Sequence, residues 1–216
     1  MPLNTLLTQR REAASTGLPT ETHAAMMKAT KDLQNSKMID NAPKVGDKLA
    51  VFNLPNQTGE QRQLTTLLES GPVVITFYRG GWCPYCNFEL QAYQDVLSDI
   101  QNTGATLIAI TPELPDASLS TTEKNKLGFE VLSDEGSLYA RQLGLVFTLP
   151  DEIKPIYEGF GINLEQHNGE GQFDLPLAAT FVVNQEGIIH SAFVDVDYTQ
   201  RREPSEIVTE LQSLVK

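Results

Sequence analysis

Cys83 and Cys86 are the only cysteines among 216 residues, and they stand three positions apart. They close the run Phe77-Tyr78-Arg79-Gly80-Gly81-Trp82-Cys83-Pro84-Tyr85-Cys86. Two thiols one helical turn apart can carry two electrons by making and breaking a disulfide. The same pair can hold a metal, staple the chain or simply pack. A zinc site needs four ligands. There is no second cysteine pair, and His23, His167 and His190 fall in a predicted helix, a loop and a strand. No metal or other cofactor is therefore expected. A disulfide closing so short a loop removes little chain entropy, which argues against a structural staple. Redox chemistry is the preferred reading.

That chemistry needs the two thiols to differ, and the flanking elements provide for it. Val73 to Tyr78 is a continuous apolar, β-branched run, as in a buried strand. From Cys86 to Gly104 the residues Leu90, Tyr93, Leu97 and Ile100 recur at helical spacing. Cys83 then sits at, or one residue before, a helix N-terminus. Unpaired N–H groups and the helix dipole there favour a thiolate. Arg79 adds positive charge, and Pro84 is tolerated in the first turn, where its missing N–H costs nothing. Trp82 and Tyr85 are expected to support and shield the motif. Cys86, one turn further in, should be more buried. The expectation is an exposed attacking thiolate at Cys83 and an inner resolving thiol at Cys86.

Residues 1–40 read as a helical extension. One helix runs through Leu3, Leu6 and Leu7; Gly17, Leu18 and Pro19 interrupt it; a second starts at Thr20 as N-cap and runs through Leu33. A hairpin packed on the domain is favoured over a dimerisation arm. Pro43, Gly46 and Asp47 mark the boundary of a domain spanning residues 41–216. Its elements are a strand over Ala105–Thr111, a helix over Ser120–Leu127, a strand over Phe129–Leu132 and a helix over Leu138–Leu143. Residues 147–175 read as a long loop with one short helix near Ile153–Gly159. A hairpin follows (Thr180–Val183 and Ile188–Val194), then a helix from Pro204. This order predicts an α/β fold, with a central mixed sheet flanked by helices on both faces. Asp195, Asp197, Tyr198, Arg201 and Arg202 read as a solvated edge after the last strand.

Sixteen Lys and Arg against 28 Asp and Glu give a net charge of −12. Such a field repels phosphate backbones and anionic membranes, so no nucleic-acid or membrane partner is expected. The first residues lack a basic stretch followed by an unbroken apolar run, so a cytoplasmic location is the expectation.

Four segments resemble the alkyl hydroperoxide reductase/thiol-specific antioxidant branch of the thioredoxin superfamily. They are PKVGDKLAVFNL, FYRGGWCPYC, LSDEGSLYARQLGL and ATFVVNQEGIIHSAFVDVDYTQR. The centre is similar to that of peroxiredoxin-like proteins with an Arg-Gly-x-Trp-Cys-Pro-x-Cys pattern. The resemblance spans about four-fifths of the chain and leaves residues 1–40 outside. It implies a thioredoxin-like fold and an antioxidant oxidoreductase that reduces hydroperoxides. Thioredoxin, glutaredoxin or glutathione would recycle the thiols, and the chain would form a homodimer. Four positions depart from the relatives. Thr76 and Gly80 stand where typical peroxiredoxins carry Pro and Thr or Ser before the attacking cysteine. Ser137 stands near the place of their later Arg, with Arg141 one turn on. Ala178 occupies the position of the proline that faces the cysteine pair in thioredoxin-like disulfide reductases, with Pro176 two residues upstream. Two further readings therefore stand beside the first: a protein- or mixed-disulfide reductase, and a redox-sensing interaction module.

Overall fold

The computed structural model describes residues 1–214. The chain opens with helices α1 (Leu3–Gly17) and α2 (Thr20–Asn35). They are separated because Leu18 precedes a proline and is driven to extended backbone (φ −91°, ψ 149°). Pro19, not Thr20, holds the N-cap position of α2, so Thr20 is already helical. A short ribbon of β1 (Asn53–Pro55) and β2 (Gln61–Gln63) leads into α3 (Leu64–Ser70). The sequence reading did not anticipate these three elements.

Next come β3 (Val73–Phe77), α4 (Pro84–Asp95), α5 (Leu97–Asn102), β4 (Thr106–Thr111), α6 (Pro115–Asn125) and β5 (Glu130–Ser133). The helix expected to run unbroken to Gly104 is interrupted at Val96 (φ −107°, ψ 8°). Then follow α7 (Leu138–Gln142), β6 (Val146–Thr148), α8 (Lys154–Gly159), α9 (Leu164–Asn168) and β7 (Asp174–Pro176). The stretch expected as a loop with one helix thus holds two short helices inside a β6–β7 ribbon. Its apolar residues Leu149, Ile153, Tyr157, Leu164 and Leu175 form a small core of their own. The chain ends with the hairpin β8 (Ala178–Val183) and β9 (Ile189–Asp195), then α10 (Pro204–Leu214).

The central sheet has the order β5-β4-β3-β8-β9. Strands β3, β4 and β5 are parallel, and β8 and β9 are antiparallel additions. Side chains alternate between its faces. Val74, Leu107, Ala109 and Val182 join one core with α1, α4 and α10. Val73, Ile75, Phe77, Ile108, Ile110 and Phe181 join the other, with α3 and Tyr139 of α7. Thr76 and Thr180 face each other across β3 and β8. Both lie on the α4 face by parity, where they give the buried sheet a polar spot beneath the cysteine helix.

Candidate active site

Strand β3 delivers the cysteine motif, and the loop after it must turn sharply. Gly80 takes φ +152°, which side-chain-bearing residues rarely adopt, and an added Cβ would stand 2.2 Å from Trp82 Nε1. A Cβ on Gly81 would stand 2.0 Å from Thr121 Oγ1. The glycines are therefore fixed by space, which accounts for Gly80 where relatives carry Thr or Ser. Glu113, fully buried after β4, pins the loop by accepting a hydrogen bond from the Gly81 N–H (3.0 Å). His167 Nδ1 lies 3.0 Å from the other oxygen of Glu113.

Cys83 is the N-cap of α4, and Pro84 occupies the first turn. Cys86 lies inside that turn. The expected exposure of Cys83 is corrected: both cysteines are fully buried. Arg79 lies against the Cys83 sulfur, and Cys83 belongs to the core that also holds Leu3 and Leu7 of α1. The expected asymmetry takes another form. Arg79 Nη2 donates to Cys83 Sγ at 3.3 Å. Burial alone would raise the Cys83 pKa. The Cys86 hydrogen bond and the charges of Arg79 and Arg201 outweigh it, holding Cys83 well below the usual thiol range. Burial pushes Cys86 the other way, and the neighbouring Cys83 adds to the rise. The two shifts oppose each other, favouring the thiolate at Cys83 and the thiol at Cys86.

Arg79 is itself held on several sides. Its Nη1 donates to the Tyr157 hydroxyl at 2.8 Å, and its guanidinium lies 3.8 Å from the Tyr198 ring centre and 5.2 Å from that of Trp82. Trp82 leans on Tyr157 (5.4 Å between ring centres), and Tyr85 meets Tyr198 edge-on at 5.6 Å. Arg79, Trp82, Pro84 and Tyr85 are thus all brought to the cysteines.

The sequence reading missed a second arginine. Arg201 was expected on a solvated edge, but its side chain is 1% exposed. It donates from Nη2 to Cys86 Sγ at 3.3 Å and from Nε to Glu89 at 2.7 Å. Its Nη1 donates to the carbonyls of Tyr198 and Gln200. Glu89 in turn accepts from Thr76 Oγ1 (3.4 Å), which accepts from Thr180 Oγ1 (3.3 Å), which accepts from the Tyr93 hydroxyl (3.3 Å). Burial raises the Glu89 pKa to about 7 despite Arg201. A signal was present: Glu89 sits among Cys86, Leu90 and Tyr93 on the apolar stripe of α4, and a carboxylate there demands a buried cation. The two other departing positions lie elsewhere. Ser137 is buried in a left-handed turn (φ 55°), and Arg141 pairs with Asp174 near the surface. Ala178 opens β8.

Residues 45–192 match the model of the AhpC/TSA family. A putative peroxiredoxin of Mycobacterium tuberculosis is 31% identical over 113 residues, covering 52% of this chain and 73% of that protein. Peroxiredoxin Bcp of Escherichia coli is 30% identical over 105 residues, covering 49% and 67%. Among solved structures, peroxidoxin BcpB of Mycobacterium tuberculosis superposes with a TM-score of 0.62 at 23% identity, covering 79% of this chain and 97% of that one. Peroxiredoxin 6 of Arenicola marina gives 0.65 at 19% identity, covering 80% and 74%. These likenesses extend the thioredoxin-like fold to this mixed sheet. With more than half of its length matched by the family model, the chain belongs to the AhpC/TSA family.

Proposed function

We propose that Cys83 is the attacking thiolate and Cys86 the resolving thiol of a peroxide-reducing cycle. The family assignment makes the chain a thiol-dependent peroxidase, with a peroxide as substrate and a thiol as reductant. The observation that carries the residue roles is the pairing of each sulfur with its own buried guanidinium at 3.3 Å. Cys83 Sγ attacks the distal oxygen of the hydroperoxide. The O–O bond breaks, and the leaving alkoxide takes a proton and departs as the alcohol. Cys83 is left as a sulfenic acid. Cys86 then attacks that sulfur; a disulfide forms and water leaves. Two reducing equivalents from thioredoxin, glutaredoxin or glutathione restore the thiols. Arg79 stabilises the thiolate before attack and polarises the peroxide during it. Arg201 favours the Cys86 thiolate when it must attack and again when an incoming thiol expels it.

The cycle suits the reducing cytosol, where a Cys-x-x-Cys pair is held as thiols between turnovers. Peroxide consumption by the wild type and Cys83→Ser tests the proposal. Loss of turnover in the variant is expected, and equal rates would reject it. One observation favours a second reading. Gly80 offers no hydroxyl to a bound peroxide, and Arg141 points its charge at Asp174 instead of the cysteines. A disulfide reductase needs neither group. Reduction of a mixed disulfide at rates well above peroxide turnover would favour that reading.

A further inference from the structure

A cavity of about 860 Å³ lies between the N-terminal helices and the cysteine motif, within the usual size range for a small-molecule pocket. Its inner wall is Arg79, Trp82, Tyr85 and Tyr198; its outer wall is α1 and α2, through residues such as Met26 and Met27. Most of this outer wall lies outside the stretch matched by the family model, which begins at residue 45. The domain therefore does not prescribe the cavity; the extension creates it.

Three features describe its occupant. The wall is mainly apolar, and its flexible thioethers and aromatic rings suit an apolar body. Arg10 and Arg11 lie side by side on it, and their charge reaches the Tyr85 phenol. Glu12 and Asp197 also line it, but with Arg79 the arginines outnumber them three to two, and in a chain of net charge −12 that excess on a mainly apolar cavity marks a place for an anion. Arg11 is held in place by donating to the Thr199 carbonyl (3.0 Å) and to Thr8 (2.7 Å), whereas Arg10 is exposed. At the inner end stands Arg79, 4% exposed, with its Nε lacking a hydrogen-bond partner among the described residues and its Nη2 on Cys83. Contacts run from Cys83 to Arg79, to the Tyr198 ring and to the Tyr85 ring, which shares the cavity wall with the arginine pair.

We propose that the helical extension builds a substrate pocket for an amphipathic carboxylate. The apolar body lies against Met26, Met27 and Trp82, the carboxylate meets Arg10 and Arg11, and the reactive end is presented to Arg79, whose guanidinium lies on Cys83. The pocket rests on the peroxidase reading only for the nature of that reactive end, an organic hydroperoxide. Its recognition of the body and the carboxylate is independent of any turnover.

Trp82 is the only tryptophan in the chain and lines the cavity, so its fluorescence reports occupancy directly. The probe is decanoate, which has the body and the carboxylate but cannot react, titrated against methyl decanoate. Saturable quenching or enhancement by decanoate is expected, with the ester binding about tenfold more weakly or worse. Arg10→Ala and Arg10→Ala/Arg11→Ala should remove that preference. Equal binding of acid and ester by the wild type, or no saturable response to either, would overturn the pocket; this comparison needs no variant to fold. Peroxide turnover measured on the same preparation separates the two readings. Decanoate binding without peroxide turnover leaves the pocket standing and sinks the peroxidase; turnover without decanoate binding does the reverse.

Discussion

Arg79→Met tests the electrostatics of the site most sharply, because it keeps most of the side-chain bulk and removes the charge together with its hydrogen bonds to Cys83 and Tyr157. The guanidinium nitrogen stands 3.3 Å from Cys83 Sγ. At an effective dielectric of about 20, two unit charges at that separation attract by about 5 kcal/mol. A charge-assisted hydrogen bond alone is worth roughly 1.5–3 kcal/mol, or about a ten- to hundredfold change in an equilibrium. Losing Arg79 should therefore raise the Cys83 pKa, while Cys86 and Arg201 still favour the thiolate. The thiolate fraction at neutral pH then falls, and the peroxide reaction slows by about ten- to hundredfold. The assay is ultraviolet thiolate absorbance against pH, paired with the pH dependence of peroxide reaction. The variant should regain most of its rate as the pH is raised through the new pKa. Arg79→Lys should fall between, since it keeps the charge and loses the planar fork that reaches Cys83 and Tyr157 together. A variant that titrates like the wild type would refute the assignment of Arg79 as the thiolate's partner.

Other consequences follow from the same contacts. Glu89 has its pKa raised from 4.5 to about 7, so its contribution to stability is fully present below about pH 4.5 and is lost as pH rises through about 7. The change is about 3 kcal/mol, and Glu89→Gln should flatten the urea-derived stability profile over that window. Arg201→Met leaves Glu89 buried without its cation, and should destabilise the fold by roughly 3–5 kcal/mol while slowing closure of the disulfide. Gly80→Ala forces a Cβ to within 2.2 Å of Trp82 at a glycine-only backbone angle, and should lower the urea midpoint by the equivalent of about 2–4 kcal/mol with a shift in Trp82 fluorescence.

The parts of this molecule that were legible in sequence are those governed by local rules. β3 and β4 announced themselves as β-branched runs, the β8–β9 hairpin by alternation around a turn, and the Cys83 N-cap by a strand followed at once by Pro84 and a helical stripe. What stayed hidden depended on distant partners. Cys83 is buried in a core that also takes in Leu3 and Leu7 of α1, some eighty positions upstream, with Arg79 turned inward onto its sulfur. Arg201 reads as a surface charge beside Asp195 and Asp197 until α4 brings Glu89 and Cys86 to it across 112 and 115 positions. The β6–β7 ribbon and α9 were missed because strands of three residues and a helix of five are too short to show a period.

Mass spectrometry after a single equivalent of peroxide tests the central claim most directly. The wild type should lose two hydrogens through a Cys83–Cys86 disulfide, whereas Cys86→Ser should gain one oxygen, carried on Cys83. An oxygen found on Cys86 in Cys83→Ser at the wild-type rate, or no change at either cysteine while peroxide is consumed, would contradict the account.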